Sequence, residues 1–146
     1  MFTKQRFDDW PINSSIISGL TELGWELATQ VQKDTIPLAL EGSNVIGQAR
    51  TGSGKTGAFG IPIINGCQPK GELQALILTP TRELANQVSI EMNTIQGDLG
   101  LKIITVYGGT DLEKQARQLN DGVDIIVGTP GRVMDMTKRK YIDLEQ

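Results

Sequence analysis

The chain has no histidine and a single cysteine, Cys67, in 146 residues. One cysteine rules out an intrachain disulfide and suits a reducing cytosol. The two shortages together exclude a zinc site or a Ser-His-Asp type triad built within the chain. Long apolar runs are also missing. None approaches the ~20 residues of a membrane span, and Met1-Phe2-Thr3-Lys4-Gln5-Arg6 lacks the apolar segment of a secretory signal. The expected location is cytoplasmic, with no membrane partner. Nor is there an excess of positive charge: 14 Lys and Arg against 17 Asp and Glu give a net charge of −3. That argues mildly against a wholesale basic clamp on nucleic acid, but leaves room for a local site of a few arginines and helix termini. Repeats, low-complexity tracts and linkers are absent too. What remains is an ordinary globular composition, 38% hydrophobic and 21% charged, at a length that suits one domain with its own core.

The most informative stretch is Ala49-Arg50-Thr51-Gly52-Ser53-Gly54-Lys55-Thr56. It follows a short apolar run, Asn44-Val45-Ile46-Gly47, and precedes a helix-like run from Gly57 to Ile64. Strand, glycine-rich turn, Gly-Lys-Thr and helix are the arrangement of a phosphate-binding P-loop. Glycines let successive backbone N–H groups curl around phosphate oxygens, and the helix points its partial positive charge at the same place. Lys55 then reaches the β- and γ-phosphates, and the Thr56 hydroxyl holds Mg²⁺. Ala49 departs from the plain motif, which begins with glycine. The bland alternative is a chance Gly-Lys-Thr in a surface loop.

Taken in order, Asn13 or Ser14 caps a helix over residues 15–23, ended by Gly24. Thr29 caps a second helix from Gln30 to about Leu40, and Gly42 stops it. Asn44–Gly47 is read as the first strand. Pro62 should kink the helix after the P-loop. Residues 74–78 form a near-continuous apolar run, as in a buried parallel strand. Thr81 caps a long helix to about Ile95. Residues 102–107 and 123–127 are further strands, with a helix over residues 111–119 between them. Thr129 caps a last helix with Pro130 at its first position.

Strands alternating with helices imply an α/β parallel sheet with right-handed crossovers. Every strand-to-helix turn then lies outside the strand C-termini, on one edge. Four turns would share that rim: the P-loop, Pro80-Thr81-Arg82, Gly108-Gly109-Thr110 and Gly128-Thr129-Pro130-Gly131-Arg132. Two of them pair a helix start with an arginine, a good phosphate binder. One mononucleotide cannot occupy all four, so a second ligand with several phosphates is suggested, a nucleic-acid backbone. Each turn also has a plainer reading as a solvated helix cap or structural turn.

At this point the motifs together resemble one family, the DEAD-box ATP-dependent RNA helicases, and within it the N-terminal RecA-like domain. The matches run from Phe7 to Arg132 in the family's order. Phe7 and Gly24-Trp25-Glu26-Leu27-Ala28-Thr29-Gln30-Val31-Gln32 look like the adenine-reading Q motif. Ala49 to Thr56 looks like motif I, where a leading alanine is usual. Pro80-Thr81-Arg82-Glu83-Leu84-Ala85 looks like motif Ia, Gly108-Gly109 with Gln115 beyond like the Gly-Gly element, and Thr129-Pro130-Gly131-Arg132 like motif Ib. The implied fold is an α/β RecA-like P-loop NTPase domain, a parallel sheet with helices on both faces, of which residues 1–146 form the N-terminal, ATP-binding part.

The resemblance implies ATP or ADP with Mg²⁺ as cofactors. Phe7, Trp25, Thr29, Gln32 and residues Ala49 to Thr56 would hold the nucleotide. Gln32 would pair with adenine N6–H and N7 and reject guanine, and Phe7 would stack on the base. Lys55 and Thr56 would position phosphate and metal. RNA would be held without regard to sequence through Pro80, Thr81, Arg82, Gly108, Gly109, Thr129, Pro130, Gly131 and Arg132. Ala28 and Gln30 depart from the family, which favours proline at both. The sequence reaches Gln146 without an Asp-Glu-Ala-Asp or Ser-Ala-Thr run. The resemblance therefore implies a truncated domain that lacks its C-terminal RecA-like partner. Such a chain is expected to bind nucleotide weakly and to hydrolyse little. The alternatives are a P-loop enzyme of another kind, such as a nucleotide kinase or DNA helicase, and a non-catalytic nucleotide-binding module.

Overall fold

A strand pair that no local periodicity announces opens the chain. Strand β1 (Phe2–Arg6) pairs antiparallel with β2 (Leu27–Thr29), with Phe2 opposite Thr29 and Arg6 opposite Leu27. The Thr3 hydroxyl adds a bond to the Ala28 carbonyl at 2.8 Å. The first element expected from the sequence is the helix over residues 15–23. The structure places a strand ahead of it, and the sequence did not show it because the partner of β1 lies more than twenty residues away, beyond the reach of any local pattern.

The computed structural model describes residues 2–47 and 54–144. They form two compact units. One comprises Met1–Gly66 with Glu91–Leu99, the other Cys67–Ile90 with Gly100–Gln146.

In the first unit, α1 (Ser14–Glu22) starts at Asn13, whose side chain accepts from the Ser15 N–H at 2.8 Å. Gly24, at φ +78°, closes it. Helix α2 (Gln30–Leu40) starts at Thr29 with a full capping box, described below. Helix α3 (Lys55–Asn65) runs on through Pro62 to Asn65. Among the described residues of this unit, Ile16, Leu20, Ile36, Ile61, Ile64, Met92 and Ile95 are the largest fully buried apolar side chains. Gly19 marks the tightest approach. A Cβ there would run into the carbonyl oxygens of Thr94 and Ile95, which are backbone and cannot swing aside. Gly19→Ala is therefore expected to destabilise the chain by about 3 kcal/mol. The check is urea unfolding: the midpoint should fall while the slope stays unchanged.

The expected strand at Asn44–Gly47 does not form. Among the described residues these four pair with no ladder, and Ile46 is 93% exposed. A strand needs a partner for its N–H and C=O groups, and neither sheet among the described residues takes in this run.

The second unit holds the parallel sheet. Its order is β3 (Ala75–Leu78), β5 (Ile125–Gly128), β4 (Ile103–Val106). The central strand is buried throughout, whereas the edge strand β3 ends at a half-exposed Leu78. The apolar run at residues 74–78 thus belongs to an edge, not to the middle of the sheet. Helix α5 (Leu112–Asn120) is capped by Asp111, and α6 (Pro130–Lys138) has Pro130 in its first turn. Val106, Leu119, Val123, Ile126, Val133, Met136 and Ile142 form one buried cluster. Helix α4 (Arg82–Ile95) begins in this unit, where the Thr81 hydroxyl accepts from the Leu84 N–H at 3.2 Å.

Candidate nucleotide and nucleic-acid sites

In the first unit, three residues expected to read adenine converge on the start of α3. Thr29 and Gln32 cap α2 reciprocally. The Thr29 hydroxyl accepts from the Gln32 N–H at 3.4 Å, and the Gln32 Oε1 accepts from the Thr29 N–H at 2.9 Å. The Gln32 Nε2 then donates to the Gly54 carbonyl at 3.1 Å. Gln32 is 1% exposed. Gly54 takes φ +89°, which a side chain rarely adopts, and a Cβ there would sit 2.5 Å from the Gln32 Nε2 and 2.9 Å from the Thr29 hydroxyl. Gly57 faces the same glutamine and the Trp25 ring, with a would-be Cβ 2.9 Å from Trp25. Both glycines are thus required by close approach.

Lys55 and Thr56 follow Gly54 as the first residues of α3, Lys55 exposed and Thr56 half-buried. Lys55 also lines a cavity of about 610 Å³ whose other walls are mainly apolar, among them Val31, Ala39, Val45 and Phe59. Phe7 is buried, its ring edge-on to Trp10 with centroids 5.9 Å apart. Residues Ala49, Arg50, Thr51, Gly52 and Ser53 lie outside the described residues.

In the second unit, the three strand ends stand side by side. Leu78, Gly128 and Val106 are in register across the sheet. The residues just beyond are stitched together as well: the Thr79 N–H donates to the Gly128 carbonyl at 2.9 Å, and the Thr129 N–H to the Val106 carbonyl at 3.0 Å. The turns carrying Pro80-Thr81-Arg82, Gly108-Gly109 and Thr129-Pro130-Gly131-Arg132 therefore share one edge, as parallel strands demand. The Arg82 guanidinium lies over the Tyr107 ring, 5.2 Å from its centroid, a cation–π contact.

One expectation fails in detail. Thr129 occupies the cap position of α6, but its side chain makes no capping bond. Pro130 has no N–H to offer, and the Gly131 and Arg132 N–H groups have no acceptor among the described residues. Gly108 and Gly131 are also open: a Cβ at either would meet nothing within 4 Å, and neither has a positive φ. Neither internal packing nor backbone conformation calls for glycine there.

Comparison with known proteins decides the family. Residues 29–146 match the family model described as DEAD/DEAH box helicase. The chain belongs to the DEAD/DEAH box helicase family. It is 47% identical over 139 residues to the RNA helicase CrhR of Synechocystis, covering 95% of this chain and 28% of that protein. It is 45% identical to the DEAD-box ATP-dependent RNA helicase CshA of Bacillus subtilis, covering 94% and 28%. A crystal structure of a DEAD box protein from Methanococcus jannaschii superposes with a TM-score of 0.92 at 38% identity, covering 99% of this chain and 40% of that one. The structure titled as a hypothetical ATP-dependent RNA helicase from Sulfolobus tokodaii gives 0.83 at 41%, covering 91% and 38%. The chain thus spans a little over a quarter of the curated relatives it matches. The RecA-like α/β fold of the N-terminal helicase domain, expected from the motifs, is borne out.

The sequence reading named Gln115 beside the Gly-Gly element without a role, and passed over Asp124, which holds the far end of the sheet. Gln115 falls on the apolar face of α5 with Leu112, Ala116 and Leu119, and is buried there. A polar residue on an apolar face was the available signal. Asp124, 1% exposed, precedes the buried strand β5, and an acid in such a run must find partners. No helix among the described residues is long and apolar enough to cross a membrane.

Proposed function

We propose that this chain is the adenine-nucleotide- and RNA-binding part of an ATP-dependent RNA helicase. The observation that carries the reading is the Gln32 bond to the Gly54 carbonyl, which ties the adenine-reading helix to the start of the phosphate-binding helix. A glutamine amide has two N–H donors and two acceptor positions. Gln32 spends one of each on Gly54 and Thr29. The N–H and lone pair that remain match the N7 and N6–H of adenine, not the O6 of guanine. In this reading Trp25 shapes the pocket beside Gly57, and Phe7, expected to stack on the base, instead supports the site from the core, where its ring is buried against Trp10.

The residues present fit a nucleotide with Mg²⁺. The Gly54 conformation, the N-terminus of α3 and the Lys55 ammonium all favour anionic oxygens, and the Thr56 hydroxyl is a hard oxygen ligand suited to Mg²⁺. When bound, the metal supplies charge neutralisation on the phosphates. Lys55 holds the β- and γ-oxygens, and the Gly54 peptide keeps Gln32 in place at the other end. In the whole protein, ATP binding and hydrolysis would drive RNA remodelling.

The RNA half of the reading is supported by the open glycines. At Gly108 and Gly131 an incoming phosphate can approach the backbone directly, the N–H of Gly131 offers a donor with no acceptor among the described residues, and Gly109, Thr129 and Pro130 lie beside them. Pro80, Thr81 and Arg82 extend the track. Such contacts carry no base information.

Gln32→Glu is the test. Glutamate keeps the acceptor for the Thr29 N–H, so α2 stays capped, but it loses the donor that Gly54 and adenine need. The ratio of GDP to ADP dissociation constants is expected to fall about tenfold, and the unfolding midpoint to fall with it, because the carboxylate is buried against the Gly54 carbonyl. An unchanged ratio would remove the adenine reading.

A further inference from the structure

Arg132 carries the formal charge one would assign to an RNA phosphate, yet the structure uses its guanidinium inside the chain. Its Nη1 donates to the Gln115 Oε1 at 2.8 Å, and its Nη2 donates to the Thr110 carbonyl at 3.1 Å. The Gln115 amide is fixed from its other end too. Its Nε2 donates to the Thr110 hydroxyl at 2.6 Å and to the Tyr107 carbonyl at 3.3 Å. That hydroxyl in turn donates to the Tyr107 carbonyl at 3.0 Å. The amide can face only one way, because arginine only donates and a carbonyl only accepts. Apart from the Arg132–Gln115 bond, every bond in the set ends on Tyr107 or Thr110, which flank Gly108 and Gly109. Gly109 holds φ +83°, so the turn is built from a residue with little conformational bias of its own. Something outside the turn must hold it in one shape.

We propose that Arg132 is a positioning residue: it clamps the Gly108–Gly109 turn through Gln115 and Thr110, and it does not itself hold a phosphate. The proposal rests on the reading of that turn as an RNA-backbone site. The planar fork is what the task needs. Two parallel donors reach one side-chain oxygen on α5 and one backbone oxygen in the turn, so α6, α5 and the turn move as one body. Lysine brings the charge but not the fork. The backbone N–H groups of the turn and of the α6 start are then presented at a fixed spacing.

The test uses the full chain with a fluorescently labelled oligouridylate and a non-hydrolysable ATP analogue, over a series of potassium chloride concentrations. Arg132→Lys, Arg132→Gln and Gln115→Ala are compared with the parent, with unfolding midpoints measured for each. A clamp predicts that all three lose RNA affinity alike, about tenfold, and that Arg132→Gln with Gln115→Ala together lose no more than either alone. The slope of log affinity against log salt should stay at the parent value. If Arg132 instead holds a phosphate, Arg132→Lys keeps most of the affinity, and Arg132→Gln flattens the slope by about 0.7. That result overturns the proposal. A second readout needs no RNA. Amide hydrogen exchange at Gly109, Thr110 and Asp111 should accelerate in both Arg132→Lys and Gln115→Ala. Unchanged exchange overturns the clamp even if affinity falls. If the parent chain binds no RNA while exchange accelerates, the clamp stands and only the RNA reading of the turn is lost.

Discussion

Lys55→Ala is expected to weaken ADP binding by about a hundredfold, roughly 3 kcal/mol. The size follows from where the charge sits. Lys55 opens α3 immediately after Gly54, so on the proposed reading its ammonium and the helix N-terminus would act on the same phosphates. Charge-assisted bonds to phosphate are about twice as strong as neutral ones, and alanine leaves the phosphate charge partly unmatched. The residue is exposed, so the unfolding free energy should move by no more than about 0.5 kcal/mol. The loss should be equal for ADP and GDP, since the lysine meets phosphate and not base. Gln32→Glu should do the reverse, changing the ratio between the two. Calorimetric titration of both variants with both nucleotides separates the roles. ADP affinity of Lys55→Ala within a factor of about two of the parent would mean that the phosphates lie elsewhere.

The largest expected loss of stability is at Asp124. Its Oδ1 accepts from the Lys70 N–H at 3.1 Å, the Gly71 N–H at 2.9 Å and the Gln74 Nε2 at 2.9 Å, and its Oδ2 accepts from the Lys102 N–H at 2.9 Å. One carboxylate thus gathers the loop before β3 and the residue before β4. At 1% exposure it has no water to replace these partners. Asp124→Ala strands the donors and is expected to cost about 4 kcal/mol. Asp124→Asn keeps one acceptor oxygen but turns an NH₂ toward donors, and should cost about 2–3 kcal/mol. Guanidinium unfolding measures both. Asp124 lies at the opposite end of β5 from Gly128, so folded Asp124→Asn should bind RNA as the parent does. A cost below about 1 kcal/mol for alanine would show that the loop is held by other contacts.

The helices and the three sheet strands were legible because their signals are local. Asn13, Thr29 and Thr81 serve the helix starts they precede, Asp111, expected as the first helical residue, turns out to be the cap, and the apolar runs at residues 74–78, 102–107 and 123–127 all became strands. What was not legible depends on residues distant in sequence. Strand β1 is set by β2, and the Asn44–Gly47 run stayed unpaired although its composition suits a strand. The site divides the same way. Gly-Lys-Thr and the Gln32 spacing could be read directly. The Gln32 bond to Gly54, and the internal engagement of Arg132 with Gln115 and Thr110, could not, because an arginine or a glutamine carries no mark of whether its partner is a ligand or its own chain. Thr129 shows the limit at one residue: the cap position was right, and its capping bond is absent.

The central claim is that this chain holds an adenine nucleotide through Gln32, Lys55 and Thr56. The most direct measurement is calorimetric titration of the chain with Mg-ADP and with Mg-GDP. The account predicts saturable ADP binding at one site and GDP binding at least about tenfold weaker, with the difference lost in Gln32→Glu. Equal affinity for the two nucleotides, or no heat with ADP at concentrations that saturate other nucleotide-binding proteins, would contradict it.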